Sequence, residues 1–273
     1  MVEPEVPEPV ERMETYLAPG RVLAFAHRGG AYHPEIEGLE NTLAAFRHAV
    51  ALGYHYLETD VHLTADGVLL AFHDEVLDRV TDRVGAVREL TLAEIREARI
   101  GGREEVPTLV QLLDAFPGAR FNIDLKSDAA VAALADLVRE RDLWERVLVG
   151  SFSRRRIRRF RRLTGGRVPT AAHPWQILCF RASPSTRLAR LLAGDDFDAF
   201  QVPHRRGRLV VVTPGFVRRA HAAGRPVHVW TVDDPAEMHE LLDRDVDGLF
   251  TDRTDLLKDV LEGRDQWWPA QGG

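Results

Sequence analysis

Two histidines end short apolar runs, His27 in VLAFAHRGG and His73 in LLAFHDE, and a Glu58-Thr59-Asp60 triplet lies between them in the chain. Imidazole titrates near neutrality, so each histidine can take or give a proton under mild conditions. Side chains alternate along a strand, so Glu58 and Asp60 in YLETDV point to one face. Two carboxylates held that close repel one another unless a cation is shared between them. Proton carriers flanking a cation-binding pair suit metal-assisted acid and base chemistry. Lys126 in FNIDLK adds a charge of another kind, being one of two lysines, with Lys258, among 36 basic residues. Where arginine is the default cation, such a lysine either answers a need for a compact ammonium or is a chance residue at a strand end.

These residues need a frame that brings distant strand ends together. Apolar or β-branched runs predict strands at 22–27, 56–61, 120–126, 147–152, 168–172, 198–202, 226–231 and 247–251. Between them lie helical patterns with cap signals: Asn41 before TLAAFRHAVAL, Thr91 with Glu94, Thr213, and Asp234-Pro235 with Glu237. Eight strands alternating with helices predict a (β/α)₈ TIM barrel, whose active site lies at the C-terminal ends of the strands. His27, Glu58, Asp124, Lys126, Ser151, Trp230 and Asp252 fall at or just past such ends. The run VLLAFHD follows the second strand across only Thr64-Ala65-Asp66-Gly67, too short for a parallel crossover. It predicts a small antiparallel hairpin inserted after the second strand. A turn centred on Asp66-Gly67 pairs residue 73 with residue 60, beside the carboxylates.

The chain of 273 residues is 45% hydrophobic and 29% charged, the composition of a globular protein, with length for one large domain or two small ones. No linker marks a second domain. The expected organisation is a flexible arm at 1–20, the barrel at 21–262 and a tail at 263–273. The net charge of −6 gives no global pull toward nucleic acid. Cys179 is the single cysteine, so no internal disulfide is expected. The first twenty residues are acidic and proline-rich, unlike a signal peptide, and no run approaches a membrane span. A cytoplasmic location is the expectation.

The spaced set His27-Arg28-Gly29, Glu40-Asn41-Thr42, Glu58-x-Asp60-Val61, His73-Asp74, Ile123-Asp124-Leu125-Lys126, Ser151-Phe152, Trp230-Thr231-Val232 and Asp247 to Asp252 resembles the glycerophosphodiester phosphodiesterase family. The first four pieces are the specific ones, and the set spans about residues 22 to 256. The resemblance implies a (β/α)₈ barrel that hydrolyses glycerophosphodiesters to glycerol 3-phosphate and an alcohol with one divalent cation. It implies His27 and His73 as the general acid and base, with a glycerol hydroxyl attacking phosphorus to give a cyclic diester that water opens. It implies Glu58, Asp60 and Asp124 as metal ligands, although the family more often has glutamate at the position of Asp124. Hard oxygen donors favour Mg²⁺ or Ca²⁺ over zinc. By the same resemblance Arg28 and Lys126 contact phosphate, Glu40 and Asn41 support the site from a helix start, and Trp230 lines the glycerol pocket. From the residues alone, Arg28 also reads as a rim ion pair, Glu40 and Asn41 as caps, and Trp230 as barrel core.

Two further readings stay open alongside this one, a lysophospholipase D-like enzyme on the same fold and a catalytically silent barrel that binds phosphodiesters. The silent barrel predicts loss of a histidine or a carboxylate, and none is missing. Within 153–163, SRRRIRRFRRL carries seven arginines beside a stripe of Ile157, Phe160 and Leu163. It reads as a solvated outer helix or as a weak contact with an anionic membrane surface. His33, His62, His173 and His204 have no assigned role.

Overall fold

The runs expected as strands pair in the order of a closed barrel. A computed structural model describes residues 16–18 and 20–268. Its strands are β1 (Leu23–His27), β2 (Tyr56–Leu63), β3 (Leu69–Ala71), β4 (Arg120–Leu125), β5 (Val147–Gly150), β6 (Phe200–Pro203), β7 (Arg205–Arg206), β8 (Leu209–Val210), β9 (Val227–Trp230) and β10 (Gly248–Thr251). Parallel pairing runs β5-β4-β2-β1-β10-β9-β6. Thr170 and Ala171 close the ring by bridging to Val149 and Ala199. Backbone bonds from Ala171 N to Val149 O at 2.9 Å and from Asp198 N to Thr170 O at 2.8 Å seal both sides. The chain is thus a (β/α)₈ barrel whose fifth strand, expected over 168–172, is reduced to bridges. Pro169 has no N–H to give a longer ladder.

The helices are α1 (Leu43–Ala51), α2 (Leu92–Ile95), α3 (Leu109–Ala115), α4 (Ala130–Glu140), α5 (Arg154–Leu163), α6 (Pro174–Ala182), α7 (Thr186–Ala193), α8 (Pro214–His221), α9 (Pro235–Leu242) and α10 (Thr254–Glu262). Thr91 and Glu94 form a reciprocal capping box, and Thr213 and Asp234 cap helices that open with proline, as their sequences predict. One cap differs. Thr42, not Asn41, accepts from Ala45 N at the start of α1. Asn41 sits in the left-handed region at φ 59°, a conformation asparagine tolerates, and its side chain turns inward instead.

Strand alternation sorts the barrel interior into levels. Leu23, Phe25, Tyr56, Leu148, Ala171, Ala199 and Phe250 fill the lower lumen. The same faces continue upward to His27, Glu58, Asp60, Asp124 and Trp230, which line a cavity at the C-terminal ends. The opposite faces, such as Leu57, Phe121, Ile123 and Leu125, pack in the larger core with helix residues Phe46, Leu134 and Phe160. Register therefore decides which residues can reach the mouth: a one-residue slip would turn Glu58 and Asp60 into the helix layer.

Four expectations need correction. The β2–β3 hairpin pairs Val61 with Ala71 and His62 with Leu70, so residue 72, not 73, lies opposite Asp60. Its loop is the three residues Ala65-Asp66-Gly67, with Gly67 at φ 83° absorbing the extra residue. The insertion is also more than the small hairpin expected, because Leu70, Phe72, Leu77, Val87, Ile95, Ala98, Ile100 and Val106 form a small core of their own. Leu163, read as part of the α5 stripe, is exposed, leaving Ile157 and Phe160 to anchor that helix. Finally, parts of both expected termini are packed. Tyr16 and Ala18 are buried, Tyr16 accepting a hydrogen bond at its carbonyl from Tyr56, and Trp267 and Trp268 stack near Tyr54 and His55. Residues 1–15, 19 and 269–273 lie outside the described residues.

Candidate active site

β1 ends at His27, and the next residues turn sharply enough to point a backbone N–H into the barrel. Arg28 takes φ 49° and Gly29 and Gly30 take φ 88°. A Cβ on Gly29 would stand 2.7 Å from Ala45 Cβ, so α1 can pack here only against glycine. The turn brings Arg28 N within 3.1 Å of Glu58 Oε2, which accepts from it. Arg28 Nε lies 3.3 Å from Asp60 Oδ2, and its Nη1 donates to Glu40 at 3.2 Å. Left-handed backbone at a non-glycine residue is uncommon, and here it serves these two carboxylates.

Both histidines form the same kind of pair with an aspartate. His27 Nδ1 is 3.0 Å from Asp252 Oδ1, and His73 Nδ1 is 2.5 Å from Asp74 Oδ1. A carboxylate on Nδ1 holds the proton there and leaves Nε2 as the working nitrogen. Asp252 follows β10 and is fixed through its own N–H, which donates to Asp233 at 2.8 Å. Asp74 accepts from Arg79 at 2.6 Å, and Arg79 grips Glu40 through two bonds of 2.7 Å. Glu40 therefore joins the His73 arm to Arg28 and through it to Asp60. His62 Nε2 donates to the His73 carbonyl at 3.0 Å, tying the residue after β3 back to β2.

The carboxylates lie where β2 and β4 run side by side, with Asp60 paired in register with Asp124. Lys126 Nζ stands 2.9 Å from Asp60 Oδ1 and 2.6 Å from Asp124 Oδ2. Burial raises the Lys126 demand for neutrality, but the two carboxylates outweigh it and hold the ammonium firmly charged. Burial likewise works against Asp60, and Lys126 and Arg28 overcome it, so Asp60 is held below the usual carboxylate range. Glu58 is pushed the other way, first by burial and then by the charge of Asp60. Burial lowers His27, yet Glu58 and the Asp252 hydrogen bond prevail and raise it to about 8.

Glu58, Asp60 and Asp124 are hard oxygen donors with an excess of buried negative charge, which fits a divalent cation of the Mg²⁺ or Ca²⁺ class. Among the described residues no three His, Cys, Asp or Glu side chains stand together as a finished metal cage. The Lys126 ammonium lies between two of the three donors, so seating an ion would require that lysine to move toward the cavity.

The cavity itself measures about 1000 Å³. One end carries His27, Arg28, Glu58, Asp60, His73, Asp124 and Lys126, while the other is walled by Phe152, Ile177, Leu178, Leu209, Val211 and Trp230. Trp230 meets Phe152 edge to face with ring centroids 5.8 Å apart. Every sequence-predicted histidine, carboxylate and phosphate-contact residue thus reaches one cavity. Glu40 and Asn41 stand behind it: Asn41 accepts from Thr59 at 2.7 Å and donates to Asp60 at 3.4 Å. Of the unassigned histidines, His33 packs on His48, His173 begins α6 and His204 pairs with Glu237. The pairing of Asp252 with His27 and the Arg79 clamp were not foreseen. Asp252 carried a signal, as a carboxylate just past a strand end, whereas Arg79 lies in a charged loop with none.

A family model for the glycerophosphoryl diester phosphodiesterase family matches residues 27–256. A probable glycerophosphodiester phosphodiesterase 2 of Mycobacterium tuberculosis is 42% identical over 254 residues, covering 92% of this chain and 95% of that protein. A glycerophosphodiester phosphodiesterase of Bacillus subtilis is 29% identical, covering 90% of this chain and 89% of its own length. Among solved structures, one described as a putative glycerophosphoryl diester phosphodiesterase from Silicibacter pomeroyi superposes with a TM-score of 0.75 at 26% identity, covering 92% of this chain and 96% of that one.

Proposed function

Since the chain belongs to the glycerophosphoryl diester phosphodiesterase family, and so is a phosphoric diester hydrolase, we propose that it splits glycerophosphodiesters into glycerol 3-phosphate and an alcohol by proton transfer through His27 and His73. The observation that carries this reading is the pair of histidine–aspartate dyads opening into one cavity on either side of the Glu58, Asp60 and Lys126 cluster. Each dyad fixes Nδ1 and frees Nε2. One Nε2 takes the proton of the glycerol hydroxyl as its oxygen bonds to phosphorus. The other gives a proton to the departing alcohol oxygen as the P–O bond breaks, and the roles reverse when water opens the cyclic diester.

Arg28 and Lys126 face the same space and supply charge-assisted contacts to the phosphoryl oxygens. Glu58, Asp60 and Asp124 would hold the divalent cation, which when bound offsets charge on the phosphate. Trp230 offers an apolar face to the glycerol carbons.

The apolar wall of the cavity favours a second reading, a lysophospholipase D-like specificity for substrates with a hydrocarbon chain. A panel of glycerophosphocholine, glycerophosphoethanolamine, glycerophosphoglycerol, glycerophosphoinositol and lysophospholipids, assayed with Mg²⁺, Mn²⁺ and Ca²⁺, separates the two. Glycerol 3-phosphate release from the soluble diesters is the expected result. Turnover of lysophospholipids alone supports the second reading, and no turnover of any diester contradicts both.

A further inference from the structure

The rim of the cavity continues into an exposed apolar and basic surface that the hydrolytic chemistry does not use. α6 starts directly past the fifth strand, at the mouth of the barrel, and the β7–β8 hairpin rises from the end of β6 beside it. Arg181 on α6 ties the two together by donating to Val210 O at 3.1 Å. Leu178 and Leu209, both exposed, line the cavity from these elements. One turn before Leu178, Trp175 is 52% exposed, and its indole N–H donates to Leu192 O at 3.4 Å. α7 then presents Leu188, Leu191 and Leu192 to the outside, Leu191 at 80%, and buries only Ala189. A helix whose leucines face outward while its alanine faces the protein is placed for a partner, because such contiguous apolar surface is rare on a chain that stands alone.

The charge around this patch identifies the partner. Between residues 153 and 219 the sequence holds 16 arginines, three aspartates and no glutamate, in a chain whose net charge is −6. Arg154 and Arg155 on α5, Arg187 on α7 and Arg205, Arg206 and Arg208 on the hairpin are exposed. The three aspartates are already engaged: Asp195 with Arg190, Asp196 with Gln176 and Arg158, and Asp198 with Arg161. Arginine in the first turn of α5 also opposes the helix dipole, so local stability does not explain it. Arg155 reaches Asp128 at 3.6 Å and Arg205 reaches Glu240 at 3.9 Å, which leaves the patch with an excess of exposed arginine charge. Leucines flanked by a tryptophan and ringed by that excess match the cross-section of an anionic bilayer, apolar below and phosphate above.

We infer that the α6–α7 helix pair and the β7–β8 hairpin dock this enzyme on anionic lipid surfaces, with the mouth of the barrel facing the bilayer. The patch and the catalytic residues are separate, so this inference stands or falls apart from the proposed chemistry. The test is sedimentation of the full chain with vesicles of phosphatidylcholine alone or mixed equally with phosphatidylglycerol, alongside turnover of soluble glycerophosphocholine. The protein should pellet with the phosphatidylglycerol vesicles and not with phosphatidylcholine. Leu188→Glu with Leu191→Glu, and separately Arg187→Glu with Arg208→Glu, should each weaken binding roughly tenfold or more and leave soluble turnover unchanged. These positions are exposed, and unaltered thermal unfolding confirms that the variants fold. Failure of the wild type to pellet at low salt, or variants that pellet like wild type, would overturn the inference. So would a leucine variant that instead converts a dimer to a monomer by light scattering, which makes the surface a contact between copies.

Discussion

At the scale of single residues the site is a set of charges that hold one another in place. Under the proposed chemistry the two aspartates on the histidines act as positioning residues, each touching Nδ1 and leaving Nε2 to the substrate. Asp74→Asn and Asp252→Asn should each lower kcat roughly 10–100-fold with KM little changed, the range seen when a supporting hydrogen bond behind an active group is altered. Steady-state kinetics on glycerophosphocholine checks this, and unchanged kcat in either variant would show that its aspartate does not orient the ring. Lys126 makes a second case. Its ammonium sits between Asp60 and Asp124 as a point charge, and a guanidinium fork is too broad for that gap. Lys126→Arg should therefore be impaired in kcat although formal charge is kept, and a fully active variant would move the phosphate contact elsewhere. The residues that touch one another here were legible in sequence because they share strand ends. Arg79 was not, because a residue in a loop reaches its partners through a path that no periodicity encodes.

At the scale of elements, alternation carries most of the design. Inward positions repeat every second residue on each strand, which is why seven of the eight strand runs could be read and why their ends gave the site. The register of the β2–β3 hairpin was misread by one residue because the turn uses three residues, not two, and only Gly67's backbone angle distinguishes them. His73 still reaches the mouth because it lies beyond the ladder, where Asp74 and Arg79 set its direction. The same inward alternation puts a histidine in the aromatic-lined lumen. His228 on β9 is fully buried, lies 5.0 Å from the Phe25 ring, and has no hydrogen-bond partner for either ring nitrogen among the described residues. Burial holds it down at about 4. The folded state therefore refuses a proton that the unfolded chain accepts at the ordinary histidine value near 6.5. The neutral ring's stability is present above that value and is lost as pH falls toward 4. Denaturant titrations should show about 2 kcal/mol less stability at about pH 5 than at about pH 7 from this residue. His228→Leu should remove that component, and an equal pH dependence in the variant would contradict it.

At the scale of the whole molecule, the barrel collects chemistry from six strands at one mouth and leaves the insertion after β3 and the α6–α7 pair to shape access. The sequence pattern showed the barrel but not the α6–α7 surface, because outward leucines on a short helix look the same in sequence as inward ones. The proposed metal dependence would belong to this whole assembly, since the three carboxylates face one cavity only when β2 and β4 are paired. Chelation should abolish turnover, Mg²⁺ or Ca²⁺ should restore it, and saturating metal should raise the thermal midpoint because the unfolded chain has no such site. Calorimetric titration that detects no ion binding to the folded protein would remove the cation from the account. The central claim, that His27 and His73 move the protons, is tested most directly by the kcat of folded His27→Ala and His73→Ala enzymes on glycerophosphocholine at saturating metal. Each should lose roughly 10²–10⁴-fold, and activity within about threefold of wild type in either would contradict it.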